Sequence, residues 1–120
     1  MSHSLAVRVA AALAMLGVAL GAFGAHGLKR ALEASASGVE VWKTAIFYHL
    51  LHAVAMYVVA LNRGSLRAWW LFAAGVLLFS GSLYLLATLG WKWLGPVTPI
   101  GGFLLIAGWA TLMLKKPEGL

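Results

Sequence analysis

The chain has 120 residues, of which 62% are hydrophobic and only 10% charged, whereas a soluble domain carries about 25% charged residues. A soluble globular domain is therefore excluded, and the net charge of +6 does not indicate nucleic acid, because the basic residues stand between hydrophobic stretches, as they do at membrane borders. The absence of cysteine excludes disulfides, thiolate metal sites and cysteine nucleophiles.

Four long stretches lack any Lys, Arg, Asp or Glu, and each is 19 to 24 residues long. A helix that crosses the hydrocarbon core needs about 20 apolar residues, and lipid-exposed backbone must satisfy its own hydrogen bonds, which favours helices. The sequence therefore predicts an all-α fold, an integral membrane bundle of four transmembrane helices that forms a single membrane domain over residues 1–120. The predicted spans are residues 5–25, 40–61, 66–89 and 98–114.

The first span resembles a secretory signal peptide, because Arg8 precedes an apolar run. Its apolar run is longer than the core of about 7–15 residues in a signal peptide, and no A-x-A site follows GAFGAHG, so we expect the span to be retained. After it, LKRALEASA places Leu28 and Leu32 on one side and Lys29 and Arg30 around the other. This pattern predicts a short helix that lies in the membrane interface.

Local signals indicate where the later spans begin. Ser37 followed by Glu40 matches the S-x-x-E capping box, so the second spanning helix is expected to begin near Gly38. Thr98 and Pro99 suit the N-cap and the first turn of the fourth. Short turns between the second, third and fourth helices predict that these helices are antiparallel neighbours.

Tryptophan and basic residues indicate the two membrane borders, since Trp concentrates at the interfaces and Lys and Arg favour the cytoplasmic side. The sequence places at one face Trp42, Trp91 and Trp93, and nearer the other Trp69, Trp70 and Trp109. The basic residues on the side of the termini are Arg8, Arg63, Arg67, Lys115 and Lys116, and those opposite are Lys29, Arg30, Lys43 and Lys92. Five against four favours both termini in the cytoplasm, and the expected location is the bacterial inner (plasma) membrane.

Small residues form stripes along three of the spans, and such stripes let helix backbones approach closely in lipid. The first span carries Ala10, Ala14, Gly17, Gly21 and Gly24; the third carries Ala74, Gly81 and Thr88; the fourth carries Gly101 and Gly108. Helix packing is therefore the role we predict for Gly17, Gly21, Gly24, Gly81, Gly101 and Gly108.

The segment FYHLLH places two histidines inside the second span. His49 and His52 lie about 60° apart around a helix of 3.6 residues per turn. Their face continues through Ala45, Ala53 and Met56, whereas the residues suited to lipid are Phe47, Leu51, Val54 and Val58. We therefore expect both imidazoles to point into the bundle.

The direction of each predicted helix brings the uncharged polar groups of the spans to one membrane face. A neutral imidazole has one hydrogen-bond donor and one acceptor, and each needs a hydrogen-bond partner in lipid. The hydroxyl groups of the third and fourth spans are the expected hydrogen-bond partners. These hydrogen bonds are predicted to fix the register of the helices around a pocket that opens toward the loop side. The predicted polar pocket consists of His26, His49, His52, Tyr48, Ser80, Ser82, Tyr84 and Thr98.

Four sequence blocks carry a resemblance to a known family: GAFGAHGLK, then W-K-T-A-x-x-Y-H-x-x-H-A, then LFSGSLYLLA, then TPIGG followed by GW. Together they resemble domain of unknown function 423, a family of small bacterial and eukaryotic membrane proteins that includes transmembrane protein 256. The resemblance implies a four-helix integral membrane protein and no established reaction. Its signature residues in this chain are Gly24, His26, Gly27, Trp42, Tyr48, His49, His52, Ser80, Gly81, Ser82, Tyr84, Thr98, Pro99, Gly101 and Gly102.

Three functions of different classes stay open. The first is a structural or accessory protein of the lipid bilayer, whose polar face packs helices or contacts a partner, either a second copy or another membrane protein. The second is metal or haem binding through His26, His49 and His52, since imidazole suits copper, zinc and haem iron, although the sequence requires no cofactor. The third is a small transporter or proton relay, but carriers place carboxylates in the membrane, and the Glu residues here lie outside the spans or, as Glu40, at the first residue of one.

An enzyme is the less favoured interpretation. A hydrolase that used Ser80 or Ser82 with a histidine would need an acidic residue to orient the base. The chain has no Asp, and SGSLY departs from the G-x-S-x-G pattern. No catalytic residue is therefore predicted.

Overall fold

The computed structural model describes residues 1–115, and Lys116, counted above among the basic residues, lies outside the described part. Its elements in chain order are α1 (His3–Ala25), α2 (Lys29–Glu33), α3 (Gly38–Leu61), α4 (Leu66–Leu89), a short 3-10 helix (Lys92–Leu94) and α5 (Val97–Leu114). Four helical segments, α1, α3, α4 and the 3-10 helix with α5, are long and apolar enough to cross a membrane. The all-α, four-span fold predicted from the sequence is confirmed, including the short helix α2 after the first span.

The ends of the long helices follow local chemistry. The helices α1 and α5 begin two residues and one residue before the predicted starts of their spans, α3 begins at Gly38, and α4 has the bounds of its predicted span. Serine side chains cap two of them: Ser2 Oγ accepts from the Leu5 N–H at 3.1 Å, and Ser65 Oγ accepts from the Ala68 N–H at 3.2 Å. At the other end of α4, Gly90 adopts a φ of +68°, the left-handed conformation typical of a helix C-terminus.

The two side-chain caps predicted from the sequence, at Ser37 and Thr98, are wrong. Ser37 has φ −112° and ψ 0° and makes no side-chain cap bond, whereas an N-cap residue is typically extended. The helix α5 begins at Val97, so Thr98 already lies in its first turn. The Thr98 hydroxyl bonds α4 instead of its own backbone.

The long helices pack in the order α1, α3, α4 and α5. The two central helices, α3 and α4, therefore each have two long neighbours, while α1 packs mainly on α3 and α5 mainly on α4. The short helix α2 packs chiefly on α3, where it buries Leu32 beside Trp42.

The half of the bundle nearest the chain termini has a hydrocarbon core, which we call the apolar half. It is built from small residues of α1 and larger residues of the other three long helices. Its buried members are Ala6, Ala10, Met56, Val59, Ala60, Trp69, Phe72, Val76 and Leu105. The opposite half contains the polar side chains on which the candidate site depends.

The tryptophans do not all form interfacial belts as predicted. Trp42 and Trp69 are buried, with 5% and 2% of their surface exposed, because both rings turn toward neighbouring helices. Trp70, Trp91 and Trp93 are exposed, as a belt residue is expected to be.

Candidate functional site

The helix α3 turns the two histidines into the bundle, as the sequence predicted. His49 and His52 are 2% and 3% exposed. The predicted lipid-facing residues of α3 are all exposed, and those predicted to share the histidine face are all buried. The first group is Phe47, Leu51, Val54 and Val58, and the second is Ala45, Ala53 and Met56.

His49 connects three helices through its two ring nitrogens. Its Nε2 lies 2.8 Å from the backbone oxygen of Leu13 on α1, and its Nδ1 lies 2.7 Å from the hydroxyl of Tyr84 on α4. A carbonyl oxygen only accepts, so Nε2–H donates to Leu13. In a neutral ring Nδ1 then accepts from the Tyr84 hydroxyl. Both hydrogen-bonding groups of the imidazole are satisfied.

His52 is satisfied in the opposite tautomer. The indole Nε1–H of Trp109 on α5 donates to His52 Nε2 at 2.9 Å, and an indole nitrogen cannot accept. The other nitrogen, Nδ1–H, therefore donates to the backbone oxygen of Tyr48, one turn earlier in α3, at 2.8 Å. This imidazole thus connects α3 to α5, two helices that do not pack directly on one another along their backbones.

The hydroxyl groups of the site mostly do not serve the imidazoles, contrary to expectation. Ser80 Oγ donates to the Ala45 oxygen of α3 at 2.8 Å. Ser82 Oγ donates to the Phe79 oxygen of its own helix at 2.9 Å and also contacts Thr98 Oγ1 of α5. Because Ser82 has a single hydroxyl proton, the Thr98 hydroxyl is the donor in that pair. Tyr84 alone among the predicted hydroxyls bonds a histidine.

Trp42 is a member of the site that the sequence analysis missed. Its Nε1–H donates to the Leu20 oxygen of α1 at 3.1 Å, and its ring lies 4.8 Å from the ring of Tyr84. It stands seven residues before His49, which is the same face of a helix at 3.6 residues per turn. The seven-residue spacing therefore predicts an inward-facing Trp42, whereas the preference of tryptophan for membrane interfaces predicts a belt residue.

We call the side chains that make these hydrogen bonds the polar cluster: His49, His52, Tyr84, Ser80, Ser82, Thr98, Trp42 and Trp109. It links α1 to α3, α3 to α4, α4 to α5 and α3 to α5. Its serines and histidines are buried, so they face protein rather than the accessible surface of a pocket open toward the loops.

Two predicted pocket residues lie outside the polar cluster. His26 is exposed in the connection between α1 and α2. Tyr48 contributes its backbone oxygen, and its exposed ring lies 4.8 Å from that of Phe79. Among residues 1–115 no three His, Cys, Asp or Glu side chains are near enough to hold a metal ion. The proposed ligand set His26, His49 and His52 is therefore not assembled, because His26 stays at the surface.

Glycines bring α1 close to α3 beside the polar cluster. A Cβ on Gly24 would collide with the Trp42 ring, and a Cβ on Gly17 would lie 2.6 Å from a methyl group of Leu50. At Gly21 a Cβ would meet its neighbour at 3.7 Å, an ordinary contact. The first two glycines are thus close-approach positions, and the third leaves room.

Glycines also seat α5 against α4. A Cβ on Gly101 would run into the backbone of Phe79, and one on Gly108 would lie 2.5 Å from the ring of Phe72. Backbone approach this close is how small residues strengthen helix packing in lipid.

Gly81 is not at a close helix contact, and the packing role predicted for it is wrong. Nothing lies within 4 Å of the position that a Cβ would occupy on Gly81. The close approach on α4 lies instead at Gly75, where a Cβ would be 2.5 Å from Leu105. Gly75 stands off the Ala74, Gly81 and Thr88 stripe by one residue, so the stripe was assigned to the wrong face.

Comparison with known proteins places this architecture among membrane proteins without an assigned role. A family model described as a protein of unknown function, DUF423, matches residues 20–102. A UPF0382 membrane protein of Staphylococcus haemolyticus is 42% identical over 106 residues, covering 84% of this chain and 85% of that protein. The UPF0382 membrane protein YwdK of Bacillus subtilis is 41% identical over 108 residues, with 84% and 86% covered.

The similarity extends to a eukaryote. A UPF0382 membrane protein of Schizosaccharomyces pombe is 37% identical over 114 residues, covering 88% of this chain and 96% of that protein. No solved structure gives a significant match.

Proposed function

Since the chain belongs to the DUF423 family of proteins of unknown function and is a membrane protein, we propose that it serves as a structural or accessory membrane protein whose polar cluster locks four helices in one register. One observation carries this proposal. All four ring nitrogens of His49 and His52 have partners within the chain. Imidazoles whose donors and acceptors are already used hold helices together.

The cost of exposed polar groups in lipid explains why such a cluster fixes register. A bare donor or acceptor in the hydrocarbon region costs several kcal/mol, and shifting α3 by one residue would rotate its histidines by about 100°. The Leu13, Tyr84 and Trp109 partners would then be lost together. Satisfied networks of this kind specify a single packing arrangement.

The placement of the protein in the cell is a separate proposal. We propose a single membrane domain in the bacterial inner membrane with both termini cytoplasmic, supported by the excess of one basic residue on the side of the termini. A second copy or another membrane protein is the proposed partner, and cross-linking in membranes tests for it.

Removing both imidazoles tests the structural role. The double variant His49→Ala and His52→Ala loses three interhelical hydrogen bonds at about 0.6 kcal/mol each, so its free energy of unfolding in detergent should fall by about 2 kcal/mol. The control is His26→Ala, an exposed histidine outside the cluster, which should leave stability unchanged. Elemental analysis and the haem absorption spectrum should be the same for all three proteins. A metal or haem present in the wild type and lost from the double variant would refute the proposal.

The tautomers provide a test that needs no variant. Nitrogen NMR of the wild-type protein should show His49 with its proton on Nε2 and His52 with its proton on Nδ1, because their partners require it. Two histidines in the same tautomer, or in exchange between tautomers, would contradict the fixed hydrogen bonds of the polar cluster.

A further inference from the structure

A groove of about 780 Å³ runs along the outer surface of the bundle between α1, α2 and α3. Gly21 and Gly24 of α1 line one side of the groove, and its other side carries Phe47, Leu51 and Val54 of α3. These three α3 side chains are 61%, 46% and 55% exposed, so the groove faces the region that lipid occupies. Its lining is almost entirely apolar apart from one end.

The polar end of the groove lies where α2 meets α3. Lys29 of α2 and Lys43 of α3 both line it, together with Glu33. The groove is therefore a hydrocarbon channel that two lysines and one glutamate border at a single end, an excess of one positive charge.

The length of the groove matches one leaflet. Val54 lies eleven positions after Lys43 on α3, which is about 16 Å along a helix rising 1.5 Å per residue. Half of a hydrocarbon core of about 30 Å is about 15 Å. With Lys43 at the headgroup level, the apolar end at Val54 reaches the bilayer midplane.

We propose that this groove is a binding site for a phospholipid with an anionic headgroup. One acyl chain lies along Gly21, Phe47 and Leu51, and the phosphate lies beside the ammonium groups of Lys29 and Lys43. An acyl chain gains little by leaving other lipid for an apolar groove, since lipid tails are as apolar as the groove itself. Selectivity therefore comes from the headgroup, and a Lys near the membrane surface favours an anionic lipid about fivefold.

A direct comparison of two lipids tests the headgroup. Native mass spectrometry of the purified full-length protein would count bound phosphatidylglycerol and phosphatidylcholine with identical acyl chains, added separately and in competition. We expect phosphatidylglycerol to be retained about fivefold or more over phosphatidylcholine. Equal retention of the two lipids, or a groove closed by a second protein copy in a stable dimer, would overturn the proposal.

Two basic residues on the same side of the protein give a matched pair of variants. Lys43→Ala removes a groove ammonium and should lower the preference for phosphatidylglycerol about fivefold. Lys92→Ala removes the same charge from the 3-10 helix, outside the groove, and should leave the preference unchanged. An equal effect of both substitutions would show non-specific charge attraction and contradict the site.

Filling the groove tests the place of the acyl chain. Gly21→Leu puts a side chain into the groove at a position where a Cβ makes only ordinary contacts, whereas Gly81→Leu adds the same atoms to open space on α4. The first should abolish retention of phosphatidylglycerol, and the second should not. Retention that survives Gly21→Leu in a protein with an unchanged Tm refutes the groove as the site. These substitutions do not alter the polar cluster. Their outcome therefore tests lipid binding separately from the structural role proposed above, on which this inference does not depend.

Discussion

The two halves of the bundle are held together in different ways. In the apolar half the ring of Phe72 fits over Gly108 and the side chain of Leu105 fits over Gly75, which is shape matching alone. In the other half directional hydrogen bonds of the polar cluster cross between helices, and the pair of His52 and Trp109 lies where the two halves meet, with both rings beside Phe72. The contrast extends to a single atom: Trp69 Nε1 is buried in the apolar half with no partner among residues 1–115, while every ring nitrogen of His49 and His52 has one.

The difference shows that in this small membrane protein close packing and helix register depend on different sets of residues. Lipid is as apolar as a hydrocarbon core, so the apolar half is stabilised by interlocking shapes rather than by exclusion of water. Directional bonds contribute less energy each but are lost together when a helix rotates. We therefore expect packing to supply most of the stability and the polar cluster to supply most of the specificity, and four experiments test this division.

The largest loss is expected from Phe72→Ala. Phe72 is fully buried and its ring lies 5.0 Å from that of Trp109. A buried Phe→Ala change costs about 3–5 kcal/mol in water-soluble proteins, and we expect about 3 kcal/mol here because lipid removes the transfer part of that cost. Unfolding in a titration with sodium dodecyl sulfate measures the change. On the same helix Leu77, 71% exposed, gives the control Leu77→Ala, which should cost less than about 0.5 kcal/mol.

The next largest loss is expected from Gly101→Ala. The added methyl group meets the backbone of Phe79, which cannot move aside as a side chain can, and overpacking costs about 1–3 kcal/mol. We expect about 2 kcal/mol in the same unfolding titration. The neighbouring Gly102→Ala places its methyl 3.7 Å from the Phe79 ring and should be nearly neutral. If the two variants proved equally stable, close backbone approach would not hold α5 to α4.

A smaller effect is expected for the bond between His49 and Tyr84. In a double-mutant cycle of His49→Ala and Tyr84→Phe, the coupling energy should be about 1 kcal/mol, within the range measured for hydrogen bonds in membranes. Repeating the cycle with Tyr57→Phe, an exposed tyrosine of α3, should give none. Zero coupling in the first cycle would remove Tyr84 from the polar cluster.

The smallest effect is expected from Thr98→Val. This substitution keeps the shape of the side chain and removes the hydroxyl that donates to Ser82, so the loss should be about 0.6 kcal/mol. Thr111→Val on the same helix removes a hydroxyl that bonds only the Ala107 oxygen one turn back, at 2.9 Å. That control should be neutral, and a larger loss there than at Thr98 would contradict the interhelical role of the Ser82 contact.

The sequence predicted the fold and the inward face of α3 because both follow from periodicity. Apolar length determines the spans, and helical spacing places His49 and His52 opposite Phe47 and Val54. Periodicity assigns a face to a residue but not a partner. The acceptors Leu13, Leu20 and Ala45 act through backbone oxygens, which have no sequence signature.

The incorrect assignments share a physical reason. Thr98 was read as a cap and Trp42 as a belt residue because local rules consider one helix at a time, whereas neighbouring helices determine what each contacts. Gly81 was chosen over Gly75 because a stripe of small residues is ambiguous when several glycines and alanines adjoin. Tertiary packing decided all three.

The order in which the helices pack has a consequence for how the chain is made. Ribosomal synthesis delivers α1 first, yet its main neighbour is α3, and the imidazoles of α3 need Tyr84 and Trp109 from segments made later still. A nascent α3 that enters the bilayer alone would carry unpaired ring nitrogens. Because Trp109 lies on α5, the last helix to be made, both imidazoles are fully paired only when α3, α4 and α5 stand in the bilayer together.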